Sequence, residues 1–401
     1  MKVRLVGSLL ACGAVFNVLT IVPQGTQSRN SSREGEFRLP KAMNLVAVHE
    51  NNRLYDISQD GSLLIFYQTA AQTRILTAKT KYANDDLLRV VNVQTGQEVA
   101  HIETKFFPSS IRFIPNSQNV FYTEPENPSR YVLKIWNYKT GKSERCSNAN
   151  AFGLSNVTFL NENTAVAALL DDANHRAVLA EIGLPDCDPK VIGLADPSDP
   201  KRYQVFGPLS VSPDGKHIVY KVPGVNLERI IVREAATGSV ITNIEPRGFY
   251  LSPKVLYTND GRFLIAVVAT TAVPTAQTKR YLLFYDAKTY ELKRQLEVTS
   301  WDNPDAPKAV AADVVVSLGT AWAVSPDSHL IAVGYRAADG RQPFIVLYDL
   351  ATGKELCRAL YPPVRPRRDD PFLGIISSLA FTPDGKTLVS STSDTRIWRL
   401  Q

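Results

Sequence analysis

The chain has 401 residues, of which 44% are hydrophobic and 21% are charged. That is enough for one large core or two ordinary domains, and it excludes a disordered chain, a collagen-like chain and a polytopic membrane protein. With 45 Lys and Arg against 39 Asp and Glu, the formal net charge is +6. This charge is too small and too scattered to predict nucleic-acid binding.

The first segment has the pattern of an export signal. Lys2 and Arg4 precede an apolar stretch at 5–22, and polar residues follow it. A basic start, an apolar middle and a polar exit are typical of a secretory signal peptide. We therefore predict a signal peptide or N-terminal anchor over 1–25, a polar linker over 26–42, and export to the periplasm, the exterior or the outer side of a membrane.

Two further interpretations of this segment stay open. A mostly apolar stretch of this length is just long enough to span a bilayer, so the segment is either removed or kept as an anchor. The run Leu9–Cys12 loosely resembles a bacterial lipoprotein box, although apolar sequence continues after the cysteine. In either case, the N-terminal segment is the only membrane contact that the sequence predicts.

One pattern recurs along the rest of the chain: an apolar strand, a Ser/Thr-Pro-Asp-Gly turn and a second apolar strand. Pro presets φ at the first corner, Asp bonds its own backbone, and Gly takes the left-handed position that closes a hairpin. From the best copies to the most degenerate one, the turns lie at Ser212–Gly215, Ser325–Ser328, Thr382–Gly385, Ser58–Gly61, Ile114–Ser117, Thr258–Gly261 and Leu160–Asn163.

A second pattern follows the first: apolar residues lead into an Asp or Asn and then a Thr-Gly turn. Its copies lie at Asn92–Gly96, Asn137–Gly141, Glu234–Gly238, Asp286–Tyr290 and Asp349–Gly353. Each pair of patterns encodes four strands joined as a meander. The first-pattern turns span six intervals between residues 60 and 384, a mean period of 54 residues. Such repeats predict an all-β, seven-bladed propeller of four-stranded antiparallel blades over residues 43–401.

The closure of the ring is also predicted. Blade seven ends with its third strand at 395–400, and an unassigned apolar strand, 43–48, precedes blade one. Pairing these two strands would complete blade seven and leave no open edge between the first and last blades.

These motifs resemble those of WD-repeat propellers, and more closely the WD-like repeats of exported bacterial propellers such as the Tol-type periplasmic ones. The matching residues are Ser212–Gly215, Thr382–Gly385, Ile135–Asn137 and Ile397–Arg399. The chain has no Gly-His dipeptide, so we do not expect the His-centred network of eukaryotic WD repeats. The resemblance implies a rigid scaffold for binding rather than a catalyst.

The cysteines beyond Cys12 are Cys146, Cys187 and Cys357. Cys146 and Cys187 follow equivalent parts of neighbouring repeats, so they either form one disulfide or remain reduced as small apolar residues. The chain has no Cys-x-x-Cys, and we expect neither a metal site nor a cofactor.

The long insertions indicate where a partner binds. In a meander, alternate turns lie on alternate edges, so the tight turns share one rim of the ring and the long connections share the other, where we place recognition. The insertions are Thr69–Asp86, Asp186–Gln204, Thr270–Lys279, Ser300–Val314 and Tyr361–Gly374. The candidate partner-binding residues, of types enriched at hot spots, are Arg202, Tyr203, Trp301, Arg365, Arg367 and Arg368. Local ion pairs in a solvated loop are the alternative for the arginines, and packing on a blade is the alternative for Trp301.

No catalytic constellation is recognisable. Gly-x-Ser-x-Gly, His-Glu-x-x-His, P-loop and Gly-x-Gly-x-x-Gly motifs do not occur. His217 and His329 share one repeat position and are interpreted as exposed strand starts. Trp136, Trp322 and Trp398 are interpreted as core residues.

The sequence therefore predicts a non-catalytic binding scaffold of the cell envelope or exterior, which engages a protein or peptide partner. One alternative is a propeller enzyme, a lactonase or quinoprotein-type oxidoreductase, with its site at the channel mouth. Another is a structural subunit of a larger envelope machine. A channel that carries ionisable side chains with shifted pKa values would favour the enzyme.

Overall fold

The structure is a computed structural model, and it describes 40–49, 52–68, 86–104, 109–127, 130–146, 152–171, 176–194, 196, 208–222, 228–270, 279–298, 321–335, 343–361, 376–392 and 394–401. Within these ranges the regular structure consists of 28 strands in seven four-stranded antiparallel sheets. No helix long and apolar enough to cross a membrane occurs in the same ranges. The predicted all-β seven-bladed propeller is confirmed.

The first three blades follow the chain in simple order. Blade 1 contains β2 (Asn52–Ile57), β3 (Leu63–Gln68), β4 (Asp86–Asn92) and β5 (Glu98–Thr104). Blade 2 contains β6 (Ser109–Phe113), β7 (Asn119–Asn127), β8 (Arg130–Asn137) and β9 (Ser143–Arg145). Blade 3 contains β10 (Phe152–Asn161), β11 (Thr164–Asp171), β12 (Arg176–Gly183) and β13 (Asp188–Leu194).

The remaining blades repeat this plan. Blade 4 contains β14 (Ser210–Val211), β15 (His217–Val222), β16 (Arg229–Glu234) and β17 (Val240–Ile244). Blade 5 contains β18 (Tyr250–Tyr257), β19 (Phe263–Ala269), β20 (Arg280–Asp286) and β21 (Leu292–Val298). Blade 6 contains β22 (Trp322–Val324), β23 (Leu330–Tyr335), β24 (Phe344–Asp349) and β25 (Glu355–Leu360). Blade 7 contains β26 (Ser378–Phe381), β27 (Thr387–Ser391), β28 (Thr395–Leu400) and, from the other end of the chain, β1 (Met43–His49).

The hairpin between the first two strands of a blade is held by its own side chains. In blade 4, the Ser212 hydroxyl donates to Asp214 at 2.6 Å, the amide of Lys216 donates to the same carboxylate, and Gly215 has φ of +73°. The same Ser/Thr-to-Asp bond recurs at Asp60, Asp260, Asp327 and Asp384. These acids therefore build turns, as their spacing predicts.

The core lies between the blades rather than in one central mass. Seven buried apolar clusters each join two neighbouring blades, including the pair formed by blades 7 and 1. Trp136 lies between blades 1 and 2, Trp322 between blades 5 and 6, and Trp398 between blades 6 and 7. All three tryptophans are buried, so their interpretation as core residues is confirmed.

The ring closes through β1, as predicted. Met43 pairs with Leu400 and His49 pairs with Thr395, and the register shifts between Leu45 and Ala47. Met43 packs into the cluster between blades 6 and 7, whereas Ala47 packs against the cluster between blades 7 and 1. The bulge thus lets one strand contribute to two clusters.

Two side chains of blade 7 also bond the first strand of blade 1. The Thr395 hydroxyl donates to the carbonyl of Asn52 at 2.7 Å, and the amide of Leu54 donates to the Ser391 hydroxyl at 3.1 Å. These bonds attach β2 directly to the last blade.

A disulfide joins Cys146 and Cys187, which resolves the alternative left open by the sequence. Cys146 follows β9 in blade 2, and Cys187 lies in the hairpin between β12 and β13 in blade 3. Both residues are buried in the cluster between these blades. Cys357 is a free thiol, and burial raises its pKa to about 11, which keeps it protonated and unreactive at neutral pH.

Two sequence interpretations need correction. The predicted insertion Asp186–Gln204 contains β13 (Asp188–Leu194), because the preceding hairpin, 184–187, lacks the Thr-Gly or Thr-Tyr turn that precedes the fourth strands of blades 1, 2, 4, 5 and 6. His217 begins β15 but is only half-exposed, and its Nδ1 lies 3.0 Å from the Tyr290 hydroxyl. His329 is exposed, as predicted.

Candidate functional site at the propeller axis

The two rims of the ring differ in their connections. Both kinds of tight hairpin leave the strands at one rim. The described strand ends that border the long insertions, such as Gln68 and Asp86 in blade 1, lie at the other rim, because neighbouring strands are antiparallel. The six candidate residues all lie outside the described residues: Arg202, Tyr203, Trp301, Arg365, Arg367 and Arg368.

The first strands of the blades are the innermost ones, since most successive first strands contact one another around the ring. Four of these strands carry irregularities. The ladder shifts between Leu54 and Asp56 in β2, between Ser109 and Arg112 in β6, between Leu251 and Val255 in β18, and at two places in β10, the first of them between Leu154 and Asn156. Bulges of this kind re-aim side chains, and they often do so beside functional sites.

Asp56 resumes the ladder after the bulge in β2 and is 5% exposed. Its carboxylate accepts the amide of Phe113 at 2.8 Å, and the Arg112 guanidinium lies 3.4 Å from its other oxygen. Burial raises the pKa of Asp56 to about 6, although Arg112 and the Phe113 amide both favour the ionised form. Asp56 thereby links blade 1 to blade 2 at the axis.

Lys254 lies within the bulge of β18 and is 2% exposed. Its ammonium donates to the carbonyl of Trp322 at 2.8 Å and lies 5.3 Å from the centroid of the Trp322 ring. Burial and the positive charge of Arg112 lower the pKa of Lys254 to about 7. Lys254 thereby links blade 5 to blade 6.

Three hydroxyls on first strands add to this set. Ser110, Ser210 and Ser378 are buried, and their Oγ atoms have no hydrogen-bond partner. Ser110 adopts φ of +52°, a left-handed backbone in the bulge next to Arg112. We use the term axial cluster for Asp56, Arg112, Lys254 and these three serines.

The chemistry of the axial cluster is that of hydrogen-bond donors. An ammonium, a guanidinium and hydroxyls can all donate, and Asp56 is the one carboxylate of the set. Among the residues that the structure describes, no group of three or more His, Cys, Asp or Glu side chains is placed to hold a metal ion.

The sequence interpretation recognised no catalytic constellation, and it did not single out the residues of the axial cluster. A signal was present once the repeats are aligned on their turns. Four residues before the turn, the seven blades have Leu54, Ser110, Asn156, Pro208, Lys254, Ala321 and Ser378; two residues before it, they have Asp56, Arg112, Thr158, Ser210, Leu256, Ala323 and Ala380. At these two positions Asp56, Arg112 and Lys254 are the charged residues, and the remaining residues are uncharged.

Solved structures share this architecture at low sequence identity. One is a Kuenenia stuttgartiensis hydrazine synthase chain, with a TM-score of 0.60 and 14% identity over 92% of this chain and 98% of that chain. The fold is that of a WD-repeat-like β-propeller. The propeller domain of Cps50 (Swd1) from Myceliophteria thermophila matches with a TM-score of 0.58 and 11% identity over 90% of this chain and 100% of that one.

A third similar structure, the Dos1 propeller, has a TM-score of 0.55 and 11% identity over 89% of this chain and 95% of that chain. At such identities the likeness shows the fold alone. No protein-family model and no curated protein matches the sequence.

Proposed function

We propose that this propeller is a non-catalytic binding scaffold of the cell envelope or exterior, which engages a protein or peptide through the rim that bears the long connections. The difference between the two rims carries this proposal. Rigid repeat scaffolds place variable connections where they bind, and propellers commonly serve as protein-interaction scaffolds.

The tight rim is a poor alternative surface because its turn carboxylates are already engaged. Asp60, Asp214, Asp260 and Asp384 each accept a Ser or Thr hydroxyl at 2.6 Å within their own turn. A partner on this rim would have to compete with these local bonds, whereas the opposite rim bears the insertions.

Export is supported by two independent features. The basic and apolar start of the chain has the pattern of a signal peptide or anchor. The disulfide between Cys146 and Cys187 is a bond that persists in oxidising compartments. We therefore place the protein with the exported bacterial WD-like propellers of the Tol type.

The test compares partner capture by two charge-reversal variants. The first is the triple change Arg365→Glu, Arg367→Glu and Arg368→Glu in the long connection before blade 7. The matched control reverses three exposed lysines of the tight turns: Lys216→Glu, Lys288→Glu and Lys386→Glu. A photo-crosslinker at position 301 is the readout in envelope extract.

We expect the first variant to lose the crosslinked partner and the control to keep it. Equal capture by both variants would overturn the assignment of the binding rim. Because both variants carry the same change in net charge, a general electrostatic effect would act on them equally.

A propeller enzyme with its site at the channel mouth is the second candidate. The axial cluster favours it, since shifted pKa values of buried groups are typical of catalytic sites. Lactone hydrolysis and quinone-dependent alcohol oxidation should be assayed with wild type and with Lys254→Met. Turnover that disappears in Lys254→Met would support the enzyme, and our primary proposal predicts no turnover in either protein.

A further inference from the structure

We propose that the rim with the long connections binds acidic side chains of a protein or peptide partner at two positions beside blade 6, one at Arg280 and one at Arg396. We call these two residues the flanking arginines. The inference rests on the proposed function, because it names the chemistry that the partner presents to that rim.

The flanking arginines lie on the two sides of blade 6. Arg280 is the first residue of β20 in blade 5, and Arg396 is the second residue of β28 in blade 7. Third strands begin at the rim with the long connections, since each ends at the tight rim. The guanidinium carbon of Arg280 lies 5.5 Å from the centroid of the Tyr335 ring, at the end of β23. That of Arg396 lies 4.1 Å from the centroid of the Tyr361 ring, directly after β25.

Neither flanking arginine has a hydrogen-bond acceptor in the part of the chain that the structure describes. Arg280 is 3% exposed, and its Nη1 is buried without a partner. Arg396 is 4% exposed, and its Nε and Nη1 are both buried without a partner. Burial lowers the pKa of both guanidinium groups, although Asp394 favours the charged form of Arg396 without a hydrogen bond to it. A guanidinium nonetheless stays protonated, so both positions hold a buried positive charge.

Other arginines that lie near aromatic rings do have acceptors. Arg262, Arg294 and Arg358 have their guanidinium carbons 5.8, 4.0 and 5.0 Å from a ring centroid. Arg262 pairs with Asp260, and Arg358 pairs with Glu355. Arg294 donates to two backbone carbonyls of the neighbouring blade. The lack of an acceptor therefore distinguishes the flanking arginines from arginines in similar ring contacts.

The missing acceptor indicates the ligand class. A buried charge is stabilised by a group of opposite charge that also accepts its hydrogen bonds, and a carboxylate matches the planar fork of a guanidinium. Both side chains keep a small exposed fraction, so a side chain that projects from the partner suits them better than a flat surface. Aspartate and glutamate side chains have this chemistry, whereas a basic group would be repelled.

The predicted recognition residues of the same rim have the same sign of charge. Arg202, Arg365, Arg367 and Arg368 lie outside the described residues, and the sequence places them in long connections. Complementary charge steers the encounter of two proteins. An acidic partner segment would thus be attracted to this rim before its carboxylates reach the flanking arginines.

The experiment measures binding of a fluorescein-labelled hexaglutamate peptide to the full mature chain by fluorescence anisotropy, at an ionic strength held constant with sodium chloride. Labelled hexaglutamine is the peptide control. We expect saturable binding of hexaglutamate and none of hexaglutamine. Absence of saturable hexaglutamate binding would overturn the proposal. Full displacement by free glutamate at an equal concentration of carboxylate groups would also overturn it, because the arginines would then select a small anion rather than a peptide.

Arg280→Met and Arg396→Met, singly and together, locate the binding. Methionine keeps the length of the side chain and removes its charge, and such replacements of buried charges are often neutral or stabilising. Each single change should weaken hexaglutamate binding about tenfold, and the double change should weaken it further. The matched control is Arg262→Met with Lys293→Met, which removes two exposed charges that have acidic partners. It should bind like wild type, although it changes the net charge as much as the double variant does.

Affinity of the double variant equal to that of the control would refute the flanking arginines as the binding positions. Melting curves establish that the variants are folded, and if one single variant unfolds, the other decides. The photo-crosslinker at position 301 separates the two proposals. Partner loss in the triple rim variant but not in the double methionine variant would refute the flanking arginines and keep the rim. Equal capture by the triple variant and its lysine control would instead overturn the proposed function.

Discussion

The chain is tied together at two places of different kinds. In blade 7, β1 and β28 come from opposite ends of the chain and are joined by noncovalent contacts, chiefly strand pairing and apolar packing. Between blades 2 and 3, Cys146 and Cys187 are joined by a covalent bond across a sequence separation of 41 residues. The closure pairs strands that lie nearly the whole chain apart in sequence. The disulfide, in contrast, connects neighbouring blades that already share a buried cluster.

The two links stabilise the fold in different ways, so their contributions to the free energy of unfolding differ. The closure strand covers an otherwise open edge and completes two inter-blade clusters, so its loss exposes apolar surface at both. The disulfide acts chiefly by restricting the unfolded chain, which for this loop length amounts to about 4 kcal/mol. We therefore expect the noncovalent tie to contribute more to stability than the covalent one.

Deleting residues 43–49 should have the largest effect. Burial of Met43, Leu45 and Ala47 and the ladder with β28 are all lost, which we expect to cost roughly 5 kcal/mol or more. Urea unfolding of the mature chain with and without these residues measures this loss in the free energy of unfolding. The control is Val46→Ser with Val48→Ser in the same strand, since both side chains are largely exposed. An unchanged midpoint after deletion would mean that the ring closes in another way.

Replacing the disulfide with Cys146→Ala and Cys187→Ala should cost about 4 kcal/mol. Reducing agent should produce a similar loss in wild type and none in the double variant. Cys357→Ala serves as the thiol control and should unfold like wild type. If reducing agent leaves wild-type unfolding unchanged, the bond does not form in the purified protein. If the double variant is less stable than the closure deletion, our ranking of the two ties is wrong.

The buried charges near the axis should make the free energy of unfolding depend on pH. The folded state lowers the pKa of Lys254 from 10.5 to about 7, so between these values the unfolded chain binds more protons. Stability should therefore rise with pH across this window, by roughly 2–4 kcal/mol. Urea unfolding from pH 7 to pH 10 should show this rise in wild type and Lys293→Met but not in Lys254→Met. The same rise in Lys254→Met would assign it to another group.

Asp56 should give the smallest effect and the opposite sign. Its pKa is raised from 3.8 to about 6 in the fold, so the folded state binds more protons between these values and stability should fall as pH rises. We expect a loss of about 1–3 kcal/mol between pH 4 and pH 6, which Asp56→Asn should flatten. A matched acid change on the tight rim, Asp384→Asn, should leave that slope in place.

The prediction of the fold succeeded because it relied on local chemistry that recurs. Ser212–Gly215 and its copies specify hairpins through their own φ preferences and side-chain bonds, which need no distant residue. Blade 3 shows the limit of this approach. Its last hairpin uses Cys187 with φ of +55° where blades 1, 2, 4 and 6 use Thr-Gly, and the strand after it was taken for an insertion.

The candidate site was predicted less well than the fold. The partner-binding role of rim residues such as Trp301 and Arg367 was inferred from the connectivity of the blades, and it stays a prediction. The axial cluster was missed because Asp56, Arg112 and Lys254 are separated by 56 or more residues, and their positions relative to the turns can be compared only after the repeats are aligned. All three lie at ladder shifts, which depend on how the strands pair.

The sequence by itself determined the number of blades, the strand order within them, the two kinds of turn and the closing strand, because each follows from periodicity and turn chemistry. The tertiary structure decided that Cys146 meets Cys187 and that Asp56 meets Arg112 and the amide of Phe113. Those contacts join residues from different repeats, and their distances are set only when the seven sheets pack into a ring of fixed radius.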